Sequence, residues 1–184
     1  HLMTVEYKPY PASFYHMDKL KSLTRFRDSL VRQRSRQLVD LTNVLDKVFP
    51  EFKPFFKGKF SVTALYILAN YPTPEKIANM NARSYEVLRK RSSGKFTMIQ
   101  FAQLKTLAKN TVGSSDDYLL QQMEVLLDIY TQLDAKIEEV EAEIIECIIG
   151  IDPPILSIPG IGAMSAAVIL SEFGDFAKYA NPSK

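Results

Sequence analysis

Several residue types are scarce in this sequence, and each scarcity excludes a class of protein. There is no tryptophan, and the single cysteine, Cys147, excludes an internal disulfide framework and is compatible with a reducing compartment. The apolar runs are too short to span a bilayer, and none follows a basic start as in a secretory signal. The two histidines, His1 and His16, offer no zinc-ligand spacing. We therefore expect a cytoplasmic protein that neither contacts a membrane nor holds a metal.

Acidic residues are also scarce, but only in the first part of the chain. Residues 1–110 contain 20 Lys and Arg against 8 Asp and Glu, a net of +12, whereas residues 111–184 contain 3 against 13, a net of −10. Two interpretations stay open: the basic part meets a polyanion, or the two parts neutralise each other by packing together. The apolar content of 46% is ordinary for a chain that folds around its own core.

Helical periodicity dominates the chain, and no strand-like alternation is present. We predict two long helices, at 19–48 and 116–149, the first of which ends at Phe49-Pro50. Nine apolar positions of the second helix alternate spacings of four and three, which favours a coiled-coil seam over a plain amphipathic helix. They are Leu119, Met123, Leu126, Tyr130, Leu133, Ile137, Val140, Ile144 and Cys147. The pattern predicts an all-α fold of two long antiparallel coiled-coil helices with a small helical insert and a C-terminal helix-hairpin-helix.

The predicted organisation has five segments. They are a lead-in at 1–18, a long basic helix at 19–50, a helical insert at 51–112, the coiled-coil helix at 113–150, and the truncated start of a helix-hairpin-helix domain at 151–184. The lead-in is expected to be extended, with a turn at Pro9 and Pro11, after a cloning remnant at His1-Leu2-Met3.

Capping signals divide the insert into short helices. Thr73 before Pro74 and Thr97 are predicted N-caps, and Ser84 is predicted to cap a further helix. Ser92-Ser93-Gly94 is predicted to break the chain between two helices. Ser114 with Asp117 resembles a capping box at the start of the last long helix.

The first candidate site is the run Pro159-Gly160-Ile161-Gly162-Ala163, which a helix rich in small residues follows. Two glycines permit a tight hairpin that a Cβ would obstruct, and Ile161 between them is expected to pack into the core. Backbone N–H groups at the start of the next helix can then hold a phosphate, largely independently of nucleic-acid sequence. The alternative is an ordinary glycine-rich connection between helices.

The second candidate site is basic. Arg25, Arg27, Arg32, Arg34 and Arg36 wrap around about three turns of the first helix, which suits a phosphate-rich partner. For Arg27 and Arg34, which share the apolar face, pairing with acids of the second long helix is the favoured alternative. Those acids are Glu138, Glu139, Glu141, Glu143 and Glu146.

A basic loop in the insert is the third candidate. Arg89, Lys90, Arg91 and Lys95 flank Ser92-Ser93-Gly94, a composition that nucleic-acid contacts and solvated loops share. The Ser-Ser-Gly-Lys run is too short and wrongly spaced for a phosphate loop of the nucleotide-binding kind.

In order along the chain, four features resemble the transposases of RNA-guided bacterial insertion sequences. They are the stretch from Leu23 to Arg32 (LTRFRDSLVR), the Phe49-Pro50-Glu51-Phe52 stop, the long second helix, and Ile158-Pro159-Gly160-Ile161-Gly162-x-x-x-Ala166-Ala167. The resemblance covers residues 19–184, and related DNA invertases share the architecture. The Pro-Gly-Ile-Gly part alone also occurs in many DNA repair proteins, so the order of the features carries the match.

The resemblance implies a parent protein that cuts and rejoins DNA. Such proteins are similar in having an N-terminal domain with four metal-binding acids, which implies Mg in the parent, then a coiled coil, then a C-terminal serine nucleophile in a Ser-Gly context. Ser183 is followed by Lys184, so no catalytic residue is assigned and the fragment is expected to be inactive. Implied partners are DNA, a structured guide RNA and further copies of the chain, which would associate through the 119–147 seam. The alternatives are a structural coiled-coil scaffold and a DNA repair nuclease subunit.

Overall fold

The computed structural model describes residues 12–58, 60–114 and 116–173, and their regular structure is entirely helical. The helices are α1 (Ala12–Val48), α2 (Phe52–Phe55), α3 (Val62–Asn70), α4 (Pro74–Ala78), α5 (Ala82–Arg91), α6 (Met98–Lys109), α7 (Asp117–Ile151) and α8 (Ala163–Phe173), with a 3-10 helix at Pro154–Ser157. The predicted all-α class is confirmed for this part of the chain. None of these helices is long and apolar enough to cross a membrane.

The chain divides into two compact units. The first unit comprises 1–33 and 133–184, and the second comprises 34–132. The core of the first unit combines Leu20 and Leu30 of α1 with Ile137 and Ile144 of α7 and with Leu170 of α8. The core of the second unit is larger and combines the end of α1, the five short helices and the start of α7.

The first long helix begins earlier than its predicted start at residue 19. Backbone from Ala12 onward is helical, so the expectation of an extended lead-in is wrong for 12–18. Met17 lies one turn before Leu20 and packs against the same core, so the apolar face continues upstream. The expected cloning remnant, the turn at Pro9 and Pro11, and Ser183 lie outside the described residues.

Local capping explains where the short helices begin. Thr73 and Thr97 are confirmed as N-caps, because their hydroxyls accept from the amides of Lys76 and Gln100. Ser84 does not cap a helix as predicted. Asn81 is the N-cap of α5, and Ser84 is its third helical residue, whose hydroxyl accepts from the Asn81 amide in a capping box.

Two connections close the insert at its base. The Glu51 carboxylate accepts from the Thr111 hydroxyl at 2.7 Å and from the Val112 amide at 3.2 Å. The Ser114 amide donates to the Lys47 carbonyl at 2.8 Å, so the end of α1 lies beside the chain that enters α7. Ser114 is not the predicted cap, because α7 begins at Asp117 and the Ser114 hydroxyl donates to Asp116 instead.

Most of the nine-position seam of α7 is covered within the chain, although Leu126, Tyr130, Leu133 and Cys147 are only half-buried. In the second unit Leu119 and Met123 are buried with Leu41 and Val48 of α1, and in the first unit Ile137 and Ile144 are buried with residues of α1 and α8. The chain's own helices therefore occupy most of the face through which self-association is predicted. Self-association itself stays a prediction.

Candidate nucleic-acid interface

The Pro-Gly-Ile-Gly run forms an exposed turn between the 3-10 helix and α8. Pro159 and Gly160 are exposed, and the Ile161 amide donates to the Ile158 carbonyl at 3.1 Å. Gly160 has a φ of +90°, a conformation that residues with a Cβ rarely adopt. The chain then enters α8, where the Gly162 carbonyl already accepts from the Ala166 amide at 2.9 Å.

The structure corrects two details of the predicted hairpin. A Cβ built on Gly162 meets nothing within 4 Å, so Gly160 alone of the two needs to be glycine for its conformation. Ile161 is only half-buried and does not belong to the core of the first unit, so it does not pack there as expected. The conformation of the turn therefore depends on the positive φ of Gly160 and not on burial of the Ile161 side chain.

The small residues of α8 are largely buried. Ala166 and Ala167 are fully buried, and Ala163 lies against the core of the first unit. The amides of the first helical turn, including that of Ala163, have no helical carbonyl four residues before them that could accept. Because the turn before them is exposed, an anion could approach these amides from solvent.

In the first unit, the α1 arginines comprise one half-buried residue in a short ion pair and two exposed residues in longer ones. Arg27 donates to the Glu141 carboxylate at 2.6 Å, and both side chains are about 30% exposed, which confirms the predicted pairing with the second long helix. Arg25 and Arg32 are exposed, and each lies at or beyond 3.4 Å from an acid, Glu172 and Asp28 respectively. Exposed pairs of this kind hold an arginine weakly, so both stay accessible to another anion.

The remaining candidates lie in the second unit. Arg34 is half-buried and has a partner within the chain, whereas Arg36 is exposed. Pairing of Arg34 with acids of the second long helix stays a prediction. Arg34 is therefore a weaker candidate than Arg36 for contact with an outside phosphate.

The basic loop between α5 and α6 has a defined backbone. Ser93 and Gly94 have φ values of +51° and +78°, and the Gly94 amide donates to the Arg89 carbonyl at 2.8 Å, so the predicted break is confirmed. Lys90 and Lys95 are exposed. The Arg91 guanidinium lies 4.1 Å from the centre of the Tyr66 ring, which fixes its position by a cation–π contact.

A second basic turn, which the sequence analysis did not single out, has the same backbone. Lys57 and Gly58 have φ values of +55° and +73°, and the Gly58 amide donates to the Lys53 carbonyl at 2.9 Å. A short repeat could have revealed it, because Gly58-Lys59-Phe60-Ser61 and Gly94-Lys95-Phe96-Thr97 share the pattern Gly-Lys-Phe followed by a hydroxyl residue. The side chain of Lys59 lies outside the described residues.

Groups able to bind a metal do not gather in the part of the chain that the structure describes. Its His, Cys, Asp and Glu residues form no group of three or more that could hold an ion. Cys147 is a free thiol, half-buried at the edge of the first core. The candidate interface thus consists of cations and backbone amides.

Comparisons with known protein families, with curated proteins and with solved structures give no match for this chain.

Proposed function

We propose that this chain is the assembly and nucleic-acid-binding part of a DNA transposase, of the class that the sequence resembles. The observation that carries the proposal is the exposed turn at Gly160, which leads directly into the first amides of α8. A glycine of positive φ permits a tight turn, and the helix start that follows offers free amides, which suits a phosphate-binding hairpin. The 3-10 helix, the turn and α8 would form that motif.

The long helices support the assembly role. The 3.5-residue spacing of the α7 seam and its burial with α1 residues favour an antiparallel coiled coil. In this proposal the coiled coil holds the basic insert and the hairpin on one chain, and several copies assemble on DNA with a structured RNA. The parent protein, using groups that this chain does not supply, would cut and rejoin the DNA.

Charge supports a polyanionic partner. Residues 51–112 contain 11 Lys and Arg against 3 acids, and one of those acids, Glu51, accepts hydrogen bonds from Thr111 and Val112. Binding through such cations and through backbone amides would be sequence-independent and would weaken steeply with salt.

The decisive variant is Gly160→Val, because a β-branched residue cannot readily adopt the φ of +90°. We expect it to weaken binding to a mixed-sequence DNA duplex, measured by fluorescence anisotropy at low salt. Gly162→Ala is the matched control, because its Cβ meets no atom within 4 Å, and it should bind like the unmodified chain. Helical circular dichroism establishes that each variant is folded.

A triple variant of Arg32, Arg34 and Arg36 separates the hairpin from the basic helix. If Gly160→Val leaves binding intact while the triple variant removes it, the hairpin is only a connector and the basic helix is the site. That result would overturn the hairpin part of the proposal.

The second candidate function is a structural coiled-coil scaffold. The Arg27–Glu141 pair favours it, because basic and acidic parts of the sequence do meet within the first unit. A scaffold would bind neither duplex DNA nor structured RNA at low salt. A DNA repair nuclease subunit is the third candidate, and a Ser-Gly nucleophile following this region in the intact protein would distinguish a transposase from it.

A further inference from the structure

Two turns with the same sequence pattern lie against each other in the second unit. In each, a short helix ends in two successive residues of positive φ, Lys57-Gly58 and Ser93-Gly94. In each, the glycine amide donates back to the fifth residue before it, at 2.9 Å to Lys53 and 2.8 Å to Arg89. The two turns are therefore copies of one helix-ending structure.

Phenylalanines join the two copies. The rings of Phe56 and Phe96 stack with centroids 6.2 Å apart and planes 14° apart, and Phe55 meets Phe96 edge-on at 6.5 Å. Lys57 follows Phe56 and Lys95 precedes Phe96, so each lysine is one residue away from the stacked pair. Phe96 is 4% exposed, so the second turn is anchored in the core of its unit.

The lysines of both turns face solvent, and the stretches of sequence around them contain few acidic residues. Lys57 and Lys95 are exposed, as are Arg89 and Lys90. The sequence contains no acidic residue between Glu86 and Asp116, and none between Glu51 and Glu75. Arg89 has Glu86 as a neighbour at 3.9 Å, at the margin of an ion pair. Positive charge therefore accumulates on the two turns.

The backbone of each turn also carries a cost. Lys57 and Ser93 adopt the left-handed conformation without being glycine, a strained backbone state for a residue with a Cβ. Of the two lysines, Lys57 stands in such a position, so the fold sets the direction in which its side chain leaves the backbone.

We propose that the paired turns form one binding site for the phosphodiester backbone of a nucleic acid, with Lys57 and Lys95 each contacting a phosphate. Arg91, held over Tyr66 at 4.1 Å, supplies a third positioned cation beside the second turn. The inference rests on the proposed nucleic-acid function but is independent of the hairpin at Gly160. DNA and RNA share this chemistry, so the test includes both.

The test uses a double variant that carries both Lys57→Gln and Lys95→Gln. It is compared with a control double variant that loses the same amount of charge. The control is the combination of Lys76→Gln and Lys109→Gln, two exposed lysines on other helices of the same unit. Each full 184-residue chain is titrated into a mixed-sequence DNA duplex and a single-stranded RNA at several salt concentrations. Urea midpoints establish that the variants are equally folded.

The measured quantity is the slope of log affinity against log salt concentration. Loss of two phosphate contacts should make the slope shallower by about 1.8 on duplex DNA or about 1.4 on a single strand. A change of this size on either nucleic acid, with the control unchanged, supports the site and identifies its preferred partner. If the slope falls equally in the control and in the variant, binding depends only on overall charge, and the proposed site is wrong.

The outcome also separates this site from the broader proposal. If the unmodified chain binds nucleic acid but Lys57→Gln with Lys95→Gln leaves the slope unchanged, the paired-turn site is wrong and the proposed function stands. If the unmodified chain binds neither nucleic acid, both fail. Binding only to vesicles that contain phosphatidylserine would likewise overturn the site.

Discussion

At the scale of single residues, Gly113 determines how closely the segment before α7 can approach the end of α1. A Cβ built on Gly113 collides with the carbonyl oxygen of Val48, which is backbone and cannot turn aside. We expect Gly113→Ala to lower the free energy of unfolding by at least about 2 kcal/mol, measured by urea denaturation.

Gly150 is the matched control for this prediction. It lies inside α7, and a Cβ there meets nothing within 4 Å. Gly150→Ala should raise the stability by about 0.5–1 kcal/mol, because alanine loses less freedom in a helix. Equal effects of the two substitutions would contradict the close approach at Gly113.

The Glu51 carboxylate makes the base of the insert sensitive to acid. Burial raises the pKa of Glu51, but hydrogen bonds from the Thr111 hydroxyl and from the Glu51 and Val112 amides lower it, so the pKa lies below its ordinary value. A lowered folded-state pKa stabilises the fold above the unfolded pKa of about 4.3, and that contribution is lost as pH falls through the folded value.

We therefore expect Glu51→Gln to cost stability at pH 7 and to cost progressively less toward about pH 3. Urea titrations of both chains across this range measure the difference. Glu124→Gln, at an exposed position of α7, is the control. A Glu51→Gln difference that is constant with pH would rule out the proposed role of this carboxylate.

At the scale of helices, much of the structure follows from sequence signals. Thr73 and Thr97 start helices where predicted, because a hydroxyl before a helical run satisfies an amide that has no other partner. Ser84 is not the predicted N-cap because Asn81, three residues earlier, is the N-cap. Ser84 is instead the second member of the capping box. Spacing alone does not reveal which of two polar residues lies outside the helix.

The seam of α7 illustrates a different limit. Its 3.5-residue spacing predicts a covered apolar face, but periodicity does not state whether the covering helix belongs to the same chain. The structure buries Ile137 with α1 residues in the first unit, at 2% exposure. An apolar stripe of this kind is therefore not by itself a sign of self-association.

A substitution in the seam should consequently act on folding. We expect Ile137→Asp to lower the free energy of unfolding by at least about 3 kcal/mol, because it places a charge in an apolar core. Ala142→Asp, at an exposed position of the same helix, should cost about 0.5 kcal/mol. A change in mass by light scattering, without loss of thermal stability in Ile137→Asp, would contradict the intramolecular seam.

At the scale of the whole molecule, the sequence shows a charge polarity that the structure explains in part. Arg27 and Glu141 demonstrate that some opposite charges meet within the first unit. The basic turns at Lys57 and Lys95 are instead exposed, in a stretch of sequence with few acids. The two turns lie against each other through the stacked rings of Phe56 and Phe96. These residues are 40 positions apart in the sequence, so local sequence patterns could not predict the contact.

The measurement that tests the nucleic-acid account most directly is the salt dependence of binding by the unmodified chain. Its affinity for two DNA duplexes of unrelated sequence and for a structured RNA would be measured by anisotropy between about 50 and 200 mM salt. The account predicts binding at low salt, similar affinity for both duplexes, and a steep linear fall of log affinity with log salt concentration. Absence of binding to all three at 50 mM salt, or an affinity that salt does not change, would contradict it.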